Sequence, residues 1–223
     1  MDTVTLSKQN RLFWLGRYAE RTHTMLQFMM EQYDLLIDSE GLNYRRFCDR
    51  LGIPCPYENT EHFLRTYLFD PNDPNSVRSS VDNMLGNGMV LRATISSETL
   101  SYLQLAQNAM KIAESSDAPS IGMQWVLDDI MAFRGSFDDA VEQESARNIT
   151  KAGGFVERLS IILRLEWHTE RVGVEVKKLL NRLYKTGLQV NQEALDVITE
   201  YALKETETDR GLLLRSIEGL FIV

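Results

Sequence analysis

The stretch Leu12-Phe13-Trp14-Leu15-Gly16-Arg17-Tyr18-Ala19-Glu20-Arg21 decides how the rest of the chain is read. Its outline returns 137 positions later (Glu20 to Glu157) as Ile149-Thr150-Lys151-Ala152-Gly153-Gly154-Phe155-Val156-Glu157-Arg158. In both, a Gly stands four residues before a Glu-Arg pair, with an aromatic residue two before the Glu. Both run on into an apolar helical pattern that closes with a Leu six residues past the Glu, at Leu26 and Leu163. The shared register points to an internal duplication.

The first copy opens a long helix, capped by Ser7 or Asn10 and reaching about Asp38. Its apolar stripe is Leu15, Tyr18, Ala19, Thr22, Met25, Leu26, Met29, Tyr33 and Leu36, the i, i+3, i+4, i+7 pattern. At about 100° per residue, Glu20 falls nearly opposite the centre of this stripe and Arg21 on its flank. In the second copy Glu157 lies opposite Phe155, Leu159 and Leu163, with Arg158 on the flank. Adjacent helical residues do not face each other, so each charge needs a partner on another helix or in water. One reading is a solvated Glu on an exposed face. The other starts from Gly16 and Gly153, where a missing side chain lets a second backbone approach, at a helix-propensity cost of about 1 kcal/mol. A Glu beside that gap would bind an Arg from a neighbouring helix, either Arg92 or Arg158. The second reading is preferred: a structural ion network joining the copies, serving geometry more than net stability.

Outward from the first copy, Gly41 breaks the pattern. Short helices are expected over 43–51, ended by Gly52-Ile53-Pro54-Cys55-Pro56, and over 60–69. After the turn-rich Asp70 to Asn75, Asn75 or Ser76 caps a helix carrying Val77, Val81, Leu85, Leu91 and Ile95, softened by Gly86 and Gly88. Ser96-Ser97-Glu98 is a kink or a fresh start before the stripe Leu100, Leu103, Ala106, Met110, Ala113. Ser115 to Ser120 is the best linker candidate. Beyond it, helices are expected over 121–141, with a bend at Gly135-Ser136, and over 144–169, 175–184, 192–203 and from Asp209 on. Gly187 serves as a stop and Asn191 as a cap. No segment keeps a period of two, so strands are not expected. The fold class is all-α: a helical bundle built from two related halves, 1–116 and 121–223, forming a single unit over 1–223.

A chain of 223 residues with 43% hydrophobic and 25% charged residues has the composition of a globular protein. Its net charge is −8, and an acidic surface argues against nucleic acid or an anionic membrane as the main partner. The two cysteines, Cys48 and Cys55, make neither a disulfide scaffold nor a metal motif, and are read as structural or incidental thiols in a reduced, cytoplasmic setting. No signal peptide and no membrane span is expected.

Glu20-x-x-His23 has the i, i+3 spacing of carboxylate di-metal bundles. Ser160 occupies the corresponding place in the second copy, so the set is incomplete. No catalytic residue, metal site or cofactor is expected; a metal-binding or enzymatic bundle using Glu20, His23, Glu98 and Glu157 is the alternative. His62 and His168 read as surface or capping residues. Met25, Met29 and Met30 with Phe28 are core or an adaptable binding surface. The apolar tail Leu220-Phe221-Ile222-Val223 is expected to dock onto the bundle rather than meet a partner.

The stretch from Leu12 to Arg21 resembles the opening of the alpha-E domain family, bacterial helical proteins named for a Glu-Arg motif that usually comes in two copies. A middle segment of that family, rich in Arg and Asn and leading into Ser-Ser-Glu, is matched by Asn87, Arg92, Ile95, Ser96, Ser97 and Glu98. Leu85, Gly86 and Met89 depart from it where Arg, Glu and Arg are expected, and Gly154 and Val156 match more loosely than Arg17 and Ala19. The resemblance implies an accessory or scaffold role beside ATP-grasp-type ligases and transglutaminase-like proteins in peptide synthesis or modification, with no activity of its own. The candidate network is Glu20, Arg21, Arg92, Glu98, Glu157 and Arg158, supported by Gly16, Arg17, Asn87 and Gly153; a homodimer is a further possibility for the assembly.

Overall fold

The computed structural model describes residues 4–37, 43–204 and 209–222, and their side chains except those of 33–37. The break expected at Gly41, the helix end near Asp38, the stripe positions Tyr33 and Leu36, and Val223 lie outside what is described. Among the described residues the chain is helical: α1 (Leu6–Ile37), α2 (Tyr44–Leu51), α3 (Thr60–Phe69), α4 (Val77–Val90), α5 (Ser97–Glu114), α6 (Pro119–Ala140), α7 (Glu144–Leu165), α8 (Val172–Thr186), α9 (Gln192–Lys204) and α10 (Arg210–Glu218). A single 3-10 turn, Thr169–Arg171, precedes α8. No helix among the described residues is long and apolar enough to cross a membrane.

Local chemistry sets most of these ends. The side chains of Asn43, Asn59, Ser76, Ser96 and Asp209 accept a backbone N–H from the first turns of α2, α3, α4, α5 and α10. Ser96 makes α5 a fresh start, and the chain turns at 91–94 rather than carrying α4 on to Ile95. α1 begins earlier than Ser7 or Asn10 would place it, with Thr5 accepting from Lys8 (3.4 Å) and Gln9 (2.8 Å). α7 stops at Leu165, short of the expected Thr169, because Glu166 and His168 both adopt left-handed backbone (φ 53° and 52°). α6 runs through Gly135-Ser136 as one helix. Strands were not expected, yet Gln189–Val190 (β1) pairs antiparallel with Phe221–Ile222 (β2). A ladder this short carries no period-two signature in sequence.

The chain forms two compact units: Met1–Glu20 with Val141–Val223, and Arg21–Ala140. This is not the division expected at 115–120. That segment joins α5 and α6 inside the second unit, where Gly122 lets α6 press against Ala113 and Ser136 shares a hydroxyl hydrogen bond with Thr99 (2.7 Å). Those two contacts make α5 and α6 an antiparallel hairpin, whose short turn looks like a linker in sequence.

In the first unit, the start of α1 buries Leu12, Phe13 and Leu15, and α7 buries Ile149, Ala152, Val156, Leu159 and Ile162. The tail docks: Leu220 is fully buried and Phe221 meets Phe13 edge to face at 5.5 Å. In the second unit, Met25, Met29, Met84, Met110 and Met123 are core, as is Phe28. An aromatic cluster of Phe47, Tyr57, Phe63 and Tyr67, with centroids 5.0–5.3 Å apart, holds α2 and α3 together.

Candidate functional site

The two Glu-Arg segments meet in the first unit, where the start of α1 crosses α7. A Cβ on Gly16 would overlap the Thr150 carbonyl, and a Cβ on Gly153 would overlap the Phe13 carbonyl. Only glycine at both places allows this backbone-to-backbone contact. The contacts exchange under the 137-residue offset: Gly16 maps to Gly153 and Phe13 to Thr150, so Gly16–Thr150 becomes Gly153–Phe13.

Charge fills the flanks of the crossing. Arg17 Nε donates to Glu157 Oε2 at 2.6 Å. Arg158 donates twice to Glu20, Nε to Oε1 at 2.7 Å and Nη2 to Oε2 at 3.0 Å, the fork-on-carboxylate geometry guanidinium favours. Of the two candidate partners for Glu20, Arg158 therefore supplies the guanidinium. Glu20 and Glu157 are only 4% and 3% exposed. Position 154, aligned with Arg17, is Gly154, where a Cβ would sit in ordinary contact with the Glu20 side chain. Gly154 brings no guanidinium there, and Arg158, one turn further along the same face of α7, supplies it. Each arginine also lies over an aromatic ring of its own helix: Arg17 over Trp14 (4.9 Å) and Arg158 over Phe155 (5.8 Å).

A residue outside the candidate set completes the network. Glu175 on α8 is fully buried and accepts from Arg158 Nη1 (2.9 Å) and Lys178 (2.8 Å), with Arg171 at 3.6 Å. Burial pulls the Arg158 pKa down, but the Glu20 and Glu175 carboxylates more than reverse this, so its pKa is raised and it stays charged. The signal for Glu175 was in the sequence: it stands on the apolar stripe of Val172, Val176, Leu179 and Leu183, where an unpaired carboxylate would be costly. Nearby, Glu218 accepts a bidentate contact from Arg164, Nε to Oε1 at 3.1 Å and Nη2 to Oε2 at 3.0 Å, and a hydrogen bond from the Ser160 hydroxyl (2.5 Å), tying α10 to α7. Ser160, where the second copy lacks a counterpart of His23, thus serves a structural bond.

The other candidates lie in the second unit. Arg21 is half-buried and its charge partly offsets the burial that raises the Tyr67 hydroxyl. Asn87 is buried and donates to the Asn83 carbonyl of its own helix at 3.1 Å. Arg92 is exposed in the turn after α4, and Glu98 is exposed on α5, accepting from Tyr102 at 3.4 Å. His23 lines a groove of about 420 Å³ with Met30, Glu31, Leu127, Asp128 and Met131, a set that does not include Glu98. Among the described residues, no group of three or more His, Cys, Asp or Glu side chains could hold a metal ion.

Fold and site together define an all-helical chain whose two Glu-Arg segments cross at backbone contact, each carboxylate neutralised from the opposite segment. The family model that matches it, over residues 8–200, is Alpha-E, described as a predicted alpha-helical domain with a conserved ER motif. The chain belongs to that family. Searches of curated proteins and of solved structures found no match.

Proposed function

We propose that this chain is a non-catalytic interaction module, assembled from a duplicated helical element, in which the Glu-Arg doublets are structural. One observation carries the reading: both motif carboxylates, Glu20 and Glu157, are buried and already bound to arginines at a crossing with no room for a Cβ. A carboxylate used in acid–base or metal chemistry needs an approach for its substrate or ion. Here such an approach would require breaking the Arg158 fork or parting the helices. The exchange of Gly16–Thr150 with Gly153–Phe13 supports duplication, since a two-fold contact pattern is what a doubled element gives when its copies pair.

The partner in this reading is an ATP-grasp-type ligase or a transglutaminase-like protein of a peptide-synthesis or peptide-modification system. Contact falls on the exposed members of the candidate set, Arg92 and Glu98, and not on Glu20, Glu157 or the docked tail. Affinity capture from native lysate with the full chain as bait tests this. Recovery of a ligase-like or transglutaminase-like protein, lost with Arg92→Glu and kept with a remote exposed change such as Tyr184→Ala, is the expected result. Capture of no such protein, or capture indifferent to Arg92→Glu and Glu98→Arg, refutes it. Stoichiometric metal in protein purified without chelator would favour the alternative, an enzymatic bundle.

A further inference from the structure

The hairpin of α5 and α6 turns one flank to solvent, apolar along its centre and acidic around it. The Gly122–Ala113 approach and the Thr99–Ser136 hydroxyl bond fix the register of the two helices. By that register Trp125 stands level with Met110, between Leu105 and Ile112. Leu105 and Ile112 lie two turns apart on one line of α5, and Ile121 and Trp125 one turn apart on one line of α6. Both lines fall on the same side of the hairpin. α5 turns Gln107 towards α4, where it donates to Asp82 at 2.7 Å, and α6 turns Met123, Leu127 and Ile130 into the core. The four side chains on the flank are 47–55% exposed. Large apolar groups gathered in one place mark an interaction surface, where scattered ones do not.

Charge on this flank has one sign. Glu98 stands two turns before Leu105 on the same line of α5, Asp128 two turns after Ile121 on α6, and Asp139 three turns beyond that. Asp129 is half-buried in the seam, level with Ala106. The basic residues of α5 and α6 are Lys111 and Arg134, and both are turned elsewhere. Lys111 donates to Gln107 on the α4 side (3.4 Å), and Arg134 lies against Met131, which lines the His23 groove (3.8 Å). Burial and then the Asp128 charge raise the Asp129 carboxyl, with no cation to oppose them. A second copy of this chain would bring like charges together if it met this flank with its own.

We propose that the α5–α6 flank is a docking surface for a basic amphipathic helix of a partner protein. The apolar stripe of that helix covers Leu105, Ile112, Ile121 and Trp125, and its lysines or arginines meet Glu98, Asp128, Asp129 and Asp139. Trp125, central in the patch, is the anchor. Lysine and arginine stems extend the apolar cover while their heads reach the carboxylates, and one of them supplies the counter-charge that Asp129 lacks. The proposal rests on the reading of the chain as an interaction module and does not depend on the partner being ligase-like or transglutaminase-like.

The test is fluorescence anisotropy with the full chain and a labelled synthetic peptide of 18 residues, the length of α5, with leucine at i, i+3, i+4 and i+7 and lysine elsewhere. A second peptide carries glutamate in place of lysine. Wild type is expected to bind the lysine peptide saturably and at least tenfold more tightly than the glutamate peptide. Trp125→Ser and Ile112→Ser should each weaken binding about tenfold, and Asp128→Lys several-fold, while Tyr184→Ser, exposed outside this unit, should leave it unchanged. If Trp125→Ser loses helix by circular dichroism, Ile112→Ser decides. Equal binding of the two peptides, or lysine-peptide binding indifferent to Ile112→Ser, overturns the proposal. So does a wild-type dimer in light scattering that Ile112→Ser converts to monomer, since a second copy then owns the flank. Each of these results leaves capture of a ligase-like protein through Arg92 standing, and failure of that capture leaves the peptide result standing.

Discussion

Gly16→Ala and Gly86→Ala each replace a hydrogen with a methyl inside a helix, and the structure sends them in opposite directions. At Gly86 in α4 nothing lies within 4 Å of the new Cβ. Alanine there gains helix propensity, about 1 kcal/mol. At Gly16 the same methyl meets the Thr150 carbonyl, a backbone atom in the middle of α7 that cannot rotate away. Overpacking a tight contact costs about 1–3 kcal/mol, and backbone against backbone belongs at the upper end. Setting about 3 kcal/mol against the propensity gain of about 1 leaves a net loss of about 2 kcal/mol. Urea unfolding followed by circular dichroism reads the difference. With a slope of about 2–3 kcal/mol per molar, Gly16→Ala should lower the midpoint by roughly 1 M, and Gly153→Ala should behave alike. Gly86→Ala and Gly135→Ala, whose surroundings are equally open, should raise it slightly. A Gly16→Ala protein as stable as Gly86→Ala would show that the helices are not in backbone contact, and the structural reading of the motif would go with it.

Glu20→Gln keeps the shape of the crossing but leaves the Arg158 fork facing a neutral amide; the expected loss is about 3 kcal/mol, at the low end for a broken buried pair because Glu175 still holds Nη1. A double-mutant cycle with Arg158→Met should return a coupling of about 2 kcal/mol, and a coupling near zero would count against the pair. Asp129 supplies a pH signature: burial, then the neighbouring Asp128 charge, raise its pKa above the ordinary 3.8. The folded state thus binds this proton more tightly than the unfolded chain, so the contribution is full below the ordinary value and is lost as pH rises through the raised one. Asp129→Asn should accordingly be more stable than wild type at pH 7 and equal to it near pH 3, measured by urea midpoints at each pH.

The helical class, most helix positions and the cap at Ser76 were legible because they depend on neighbours in the chain: a 3.6-residue period, a side chain three residues from an orphan N–H, a glycine at a stop. The significance of Gly16 and Gly153 was legible for a related reason, since glycine inside a helix carries a local cost that asks for a tertiary gain. The burial of Glu20 was not, because the helical wheel places it opposite the apolar stripe, and only the arrival of α7 on that face removes it from water. The choice of Arg158 over Arg92 belonged to the fold as well, and so did the entry of Glu175. Each depends on which elements touch, and contact between residues far apart in sequence, or across a reversed turn, leaves no trace in local periodicity. The residues alone established that this chain is helical and carries two like charged segments; the packing decided that those charges face each other and not the solvent.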